Sequence, residues 1–153
     1  MQLRRIVTLK VAPNESLIEY VHDGRIGVLL RFAFSDPKAK DNPKVKETLF
    51  DCALHAAAFA PLFLSKDKVS AAFLKEQEEI FNKQAETLGK PANVLAGIVK
   101  GKVAKLLADI CLLEQPFVKD DKRKVAKVLE DLSKDAGSKI ELVEYAYVKL
   151  GAE

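Results

Sequence analysis

The sequence predicts an α+β fold: a small antiparallel sheet of about three to four strands packed with helices, plus a protruding antiparallel helical hairpin. Two observations predict it. Segments rich in β-branched residues lie at both ends of the chain, with helix-period segments between them. Within the middle, Gly89-Lys90-Pro91 joins two apolar stripes of helical spacing, and so short a link forces the two helices to pack antiparallel. The expected division is a core of residues 1–69 and 114–153, with residues 70–113 inserted as the hairpin.

Taken in order, Leu3 to Val11 interleaves Ile, Val and Leu with polar residues and predicts a strand. Turn residues Pro13 to Ser16 follow, then a short strand, Leu17 to Val21. His22-Asp23-Gly24 is a tight hairpin turn, because Gly accepts positive φ without a Cβ clash. Ile26 to Phe34 is the returning strand, with Gly27 marking a close approach of backbones. Ser35 to Pro43 reads as a loop.

A helix is expected from Lys44 to Ala60, stopped by Pro61. Its apolar face is Val45, Leu49, Cys52, Ala53, Ala56 and Phe59. Ser70 is the candidate N-cap of the first hairpin arm, in which Leu74, Phe81 and Leu88 recur every seven residues, the spacing of a coiled coil. Val94, Leu95, Ile98, Val99, Val103, Leu106, Leu107 and Ile110 form the stripe of the second arm. Glu114 to Asp121 reads as irregular. A short helix follows through Val125, Leu129 and Leu132, closed by Gly137, and Ile140 to Leu150 is the last strand.

Composition narrows the function. With 25 basic and 22 acidic residues of mixed order, the chain has a solvated surface and does not demand nucleic acid. No apolar run reaches the ~20 residues of a membrane-spanning helix. No secretory leader follows Met1, and the two cysteines, Cys52 and Cys111, read as buried free thiols of a cytoplasmic protein.

Catalytic signals are poor. His22 and His55 share no metal-binding frame, and neither cysteine has a Cys-x-x-Cys partner, so no metal or cofactor site is expected. Gly97 to Lys102 fails as a phosphate loop, because only three residues separate its glycines and Val103 stands where Ser or Thr belongs. Asp120 and Asp121 lie among lysines, as solvated loops do. His55, on the apolar face of an Ala-rich helix, reads as a core histidine; His22, at a hairpin tip, reads as exposed. The residues therefore describe a protein-binding module with no catalytic residues.

Three stretches carry a family resemblance: Gly24-Arg25-Ile26-Gly27-Val28-Leu29 after a Tyr-x-His turn, Ala53-Leu54-His55 through Pro61, and Cys111-Leu112-Leu113-Glu114-Gln115-Pro116-Phe117-Val118-Lys119 with the residues that follow. In this order they resemble elongation factor Ts, the guanine-nucleotide exchange factor for elongation factor Tu. The likeness covers the C-terminal subdomain of that family's core and its coiled-coil hairpin. It implies elongation factor Tu as partner, with His22 and Gly24, and Phe117, Val118 and Lys119, on the contact surface. It also implies a dimer through the hairpin, where Leu74, Phe81 and Leu88 lie. These 153 residues contain no Thr-Asp-Phe-Val motif, the family's wedge into the partner's G domain. Partner binding and dimerisation are thus expected of them, rather than full exchange. A coiled-coil dimerisation scaffold, and a basic RNA- or ribosome-associated domain, are the competing readings.

Overall fold

A computed structural model describes residue 3 and residues 5–151. The elements run β1 (Glu15–His22), β2 (Ile26–Phe34), α1 (Pro43–Phe59), α2 (Ala71–Glu86), α3 (Ala92–Ile110), β3 (Pro116–Phe117), β4 (Asp120–Lys124), α4 (Val125–Ala136) and β5 (Ile140–Lys149). The chain divides into two compact units, Met1–Ala60 with Pro116–Glu153, and Pro61–Gln115. Helices and antiparallel sheet are segregated as the sequence predicts.

The first unit holds an antiparallel sheet of order β1-β2-β5. Asp23 (φ 50°) and Gly24 (φ 65°) both take positive φ, and the Arg25 N–H closes this turn on the His22 carbonyl at 2.9 Å, within the three residues between paired His22 and Ile26. It sets the register from His22 opposite Ile26 to Glu15 opposite Ala33. One face of β2 is fully buried through Val28, Leu30, Phe32 and Phe34. Val45, Leu49, Cys52, Ala53 and Ala56 of α1, Val125, Val128, Leu129 and Leu132 of α4, and Ile140 and Leu142 of β5 complete that core. Each fully buried Leu or Phe contributes roughly 1.5–3 kcal/mol. On the other face Arg31 spans all three strands, with Glu15 of β1 at 3.2 Å and Glu144 of β5 at 2.8 Å.

Local chemistry fixes the helix ends. The Asn42 side chain accepts the Lys44 N–H at the start of α1, and Pro43 occupies its first turn. Gly137 (φ 63°) ends α4, so that the Gly137 N–H reaches the Lys134 carbonyl.

Several expectations change. Residues 3 and 5–11 form no strand; Leu3 and Ile6 are 77% and 74% exposed, and Arg4 lies outside the described residues. β-branched composition alone supplies no pairing partner, and pairing is what makes a strand. A Cβ on Gly27 would meet nothing within 4 Å, so no backbone approaches it closely. The loop after β2 contains a 3-10 turn, Pro37–Asp41, capped by Asp36. Phe59, placed by spacing on the buried face of α1, is 55% exposed in the last turn of the helix. The supposedly irregular Glu114–Asp121 segment holds β3 and the start of β4.

In the second unit α2 and α3 pack antiparallel. Ser70 caps α2 by accepting the Phe73 N–H, and Gly89 (φ 60°) turns the chain toward α3. The ends of the unit are joined by main-chain bonds: Phe63 N–H to the Ile110 carbonyl, Leu112 N–H to Phe63, and Leu113 N–H to Leu64. Between the arms, however, only Ala85 of α2 and Val99 of α3 are buried. Leu74 and Phe81 are half-buried and Leu88 is 50% exposed. Most of the larger apolar side chains of both arms are half-buried, so closing the hairpin leaves part of its stripe open.

Candidate functional site

The first predicted position, the His22 turn, is solvent-exposed. The His22 side chain is 53% accessible, with Nε2 3.5 Å from an Asp23 carboxylate oxygen. A hydrogen bond of 3.0 Å joins its Nδ1 to the Tyr20 hydroxyl. Tyr20 in turn meets Phe50 of α1 edge to face, with centroids 5.7 Å apart. Phe50 is 44% exposed, a residue that the apolar stripe of α1 does not single out. It lies one residue off the Val45-Leu49-Cys52-Ala56 stripe, which puts a large ring on the solvent side of an otherwise well-patterned helix. Gly24, with positive φ, shapes this turn and offers no side chain to a partner.

The second predicted position is the turn between β3 and β4. Phe117 and Asp120 pair across it, leaving Val118 and Lys119 as its two central residues. Structure separates the three residues proposed here. Phe117 is buried at 5%, against His55, with ring centroids 6.1 Å apart. Val118 is 42% exposed. The Lys119 ammonium sits 2.7 Å from an Asp51 carboxylate oxygen, and that hydrogen bond raises it above the usual lysine range. Phe117 therefore anchors the turn, whereas Val118 and the stem of Lys119 face outward.

His55 is fully buried, as a core histidine should be. Its Nδ1 accepts the Val118 N–H at 3.1 Å, which fixes the neutral ring as the tautomer protonated on Nε2. Its ring also packs 4.7 Å from that of Phe59. Helix α1 thus meets the first hairpin through Phe50 against Tyr20, and the second turn directly through Asp51 and His55.

Beside the second turn, Arg123 bonds Asp120 at 2.6 Å and Asp131 of α4 at 3.1 Å. Its guanidinium holds both carboxylates below the usual range. Cys52 and Cys111 are buried free thiols, and burial pushes Cys52 up to about 12. Among the described residues, no group of three or more His, Cys, Asp or Glu side chains is placed to hold a metal ion. No helix among them is long and apolar enough to cross a membrane.

Fold and surface together define a small α+β module, interrupted in sequence by an antiparallel pair of helices, that displays two exposed turns, one of them held by helix α1. Within that class the chain belongs to the elongation factor Ts family: residues 1–152 match the family described as Elongation factor TS. It is 45% identical over 152 residues to elongation factor Ts of Treponema denticola, covering 99% of this chain and 54% of that protein. The same factor from Borreliella burgdorferi strain B31 is 44% identical over 153 residues, covering 99% and 55%. That of Borrelia recurrentis is 44% identical over 149 residues, covering 96% and 54%. The chain spans about half the length of the curated relatives it matches.

Proposed function

We propose that this chain is part of a cytoplasmic translation elongation factor that binds elongation factor Tu and promotes exchange of its GDP for GTP. Its share is partner binding and dimerisation; it performs no bond chemistry and needs no cofactor or nucleic acid. One observation carries the reading. In a chain that belongs to this family, the two turns that the resemblance assigns to the partner display His22 and Val118 outward, at 53% side-chain and 42% exposure.

The thermodynamics of such a role are those of linkage. A protein that grips the nucleotide-free form of its partner more tightly than the nucleotide-bound form weakens nucleotide binding by the same factor. Two separated contact turns, one set by its own backbone and the other held by helix α1, supply a grip of defined geometry. The 153 residues hold no Thr-Asp-Phe-Val segment, so their exchange activity is expected to be weak beside that of a full-length factor. Co-elution with elongation factor Tu in gel filtration, together with a GDP-release assay, tests both statements. Separate elution under conditions in which a full-length factor co-elutes contradicts the first; full-strength exchange contradicts the second.

A second role for the hairpin is pairing with another copy. Supporting it are Ile80 (40% exposed), Leu88 (50%) and Val94 (40%), large apolar side chains left open on an antiparallel helix pair.

A further inference from the structure

We propose that His55 and Asp51 are positioning residues for partner recognition: they hold the Val118-Lys119 turn in the conformation that the partner meets. The inference rests on the reading above that this turn faces elongation factor Tu.

The argument starts from the turn itself. Two-residue hairpin loops match strand twist when the first central residue, or both, takes positive φ. Asp23 and Gly24, in the three-residue loop between paired His22 and Ile26, both take positive φ, and their hairpin continues as a ladder of eight residue pairs. Among the described residues the non-glycine positions with positive φ are Asp23 and Ala60, so Val118 and Lys119 both have negative φ. Their turn does not suit the twist of its strands. The ladder it closes is short as well, with Pro116 opposite Lys124, Phe117 opposite Asp120 and a register break between them. So small a two-stranded pair is unstable by itself. Moreover, the N–H of the first central residue points out of such a turn and finds no acceptor within it.

Helix α1 provides what the turn lacks. His55 Nδ1 accepts that outward N–H at 3.1 Å. One helical turn earlier, on the same face, Asp51 binds the Lys119 ammonium at 2.7 Å. Both acceptors are buried, with Asp51 at 7% and His55 at 0% exposure, while the side chains they place, Val118 and Lys119, are exposed. Consecutive residues of the turn are thus fixed by residues four apart on a rigid helix, and the Val118 side chain is left pointing outward with little freedom to lose on binding.

The test uses the whole chain and two substitutions at one position. His55→Phe keeps a ring against Phe59 and Phe117 and removes the acceptor. His55→Asn returns an acceptor, because its Oδ1 is attached to Cγ as Nδ1 is in histidine. Amide exchange by NMR reads the Val118 N–H without any partner, and titration calorimetry against purified elongation factor Tu reads affinity. In His55→Phe, Val118 exchange accelerates and Kd rises, each about tenfold or more, while Leu30 and Phe32 keep their protection. His55→Asn brings both values back toward those of the unsubstituted chain. Unchanged Val118 protection in His55→Phe overturns the inference, and so does lost protection with unchanged Kd. If the unsubstituted chain does not bind, the proposed function fails and takes the recognition half of this inference with it; the exchange comparison then still decides the positioning half. Should His55→Phe fail to fold, Asp51→Asn keeps the shape and removes the charge. A Kd raised at least about threefold supports the role of Asp51, and an unchanged Kd overturns it.

Discussion

Nδ1 of His55 accepts the main-chain N–H of Val118 at 3.1 Å, joining the buried face of α1 to the exposed turn between β3 and β4. A histidine that looks purely structural by burial therefore lies one hydrogen bond from the turn proposed to meet the partner. The two candidate turns differ in this respect. The His22 turn is held by its own backbone geometry, whereas the Val118 turn is held by a helix 63 residues earlier in the chain.

Ala60 offers a direct test of local strain. It caps α1 in the left-handed region, with φ 44° and ψ 55°, immediately before Pro61. An L-residue there costs roughly 1–2 kcal/mol, which glycine avoids. Ala60→Gly is expected to stabilise the protein by up to about 1 kcal/mol, the remainder being offset by the greater freedom of glycine in the unfolded chain. A urea-denaturation midpoint that falls on this substitution contradicts the assignment.

The carboxylates around α4 predict an acid-sensitive contribution. Arg123 lowers Asp120 and Asp131 below their ordinary 3.8, and Lys134 lowers Glu130 below 4.5. Groups whose folded pKa is depressed add stability that is complete above the unfolded value and vanishes as pH falls through the folded one. Urea midpoints should therefore drop between about pH 5 and about pH 3, and less so in high salt, since these groups are exposed. Arg123→Gln should shrink that drop. An identical acid profile in the variant would show that these pairs contribute nothing to stability.

For the hairpin, Phe81→Asp separates its two roles. Phe81 is half-buried, with the Lys102 ammonium 5.6 Å from its ring centroid. If the open stripe pairs two copies, light scattering gives the parent chain about twice its 16.9 kDa, and the variant returns to a single mass with its helix content intact. A monomeric parent chain refutes the pairing. Unfolding of the variant instead shows that the stripe serves mainly to close the hairpin.

Much of the fold could be read from short-range chemistry. Asp23-Gly24, Ser70, Gly89 and Gly137 each act within a few residues, and each stands where local rules place it. Features that depend on distant partners were illegible. Residues 5–11 have the composition of a strand and pair with none, while Asp120-Asp121-Lys122-Arg123-Lys124 has the composition of a loop and is β4, because Pro116–Phe117 lies alongside it. The site divides in the same way. Exposure of His22 followed from its turn. The inward position of Phe117, the Asp51–Lys119 pair and the His55–Val118 bond depend on α1 packing beside a segment that lies more than 50 residues further along the chain.

The central claim, that these residues recognise elongation factor Tu through two exposed turns, is tested most directly by titration calorimetry of the chain against nucleotide-free elongation factor Tu. Unsubstituted protein is compared with His22→Ala and Val118→Asp. Both positions are exposed, so neither substitution should move the melting temperature by more than about a few degrees. Each should weaken binding about tenfold or more. Saturable binding that both substitutions weaken is the predicted result. No binding by the parent chain, or binding indifferent to both substitutions, would contradict the account.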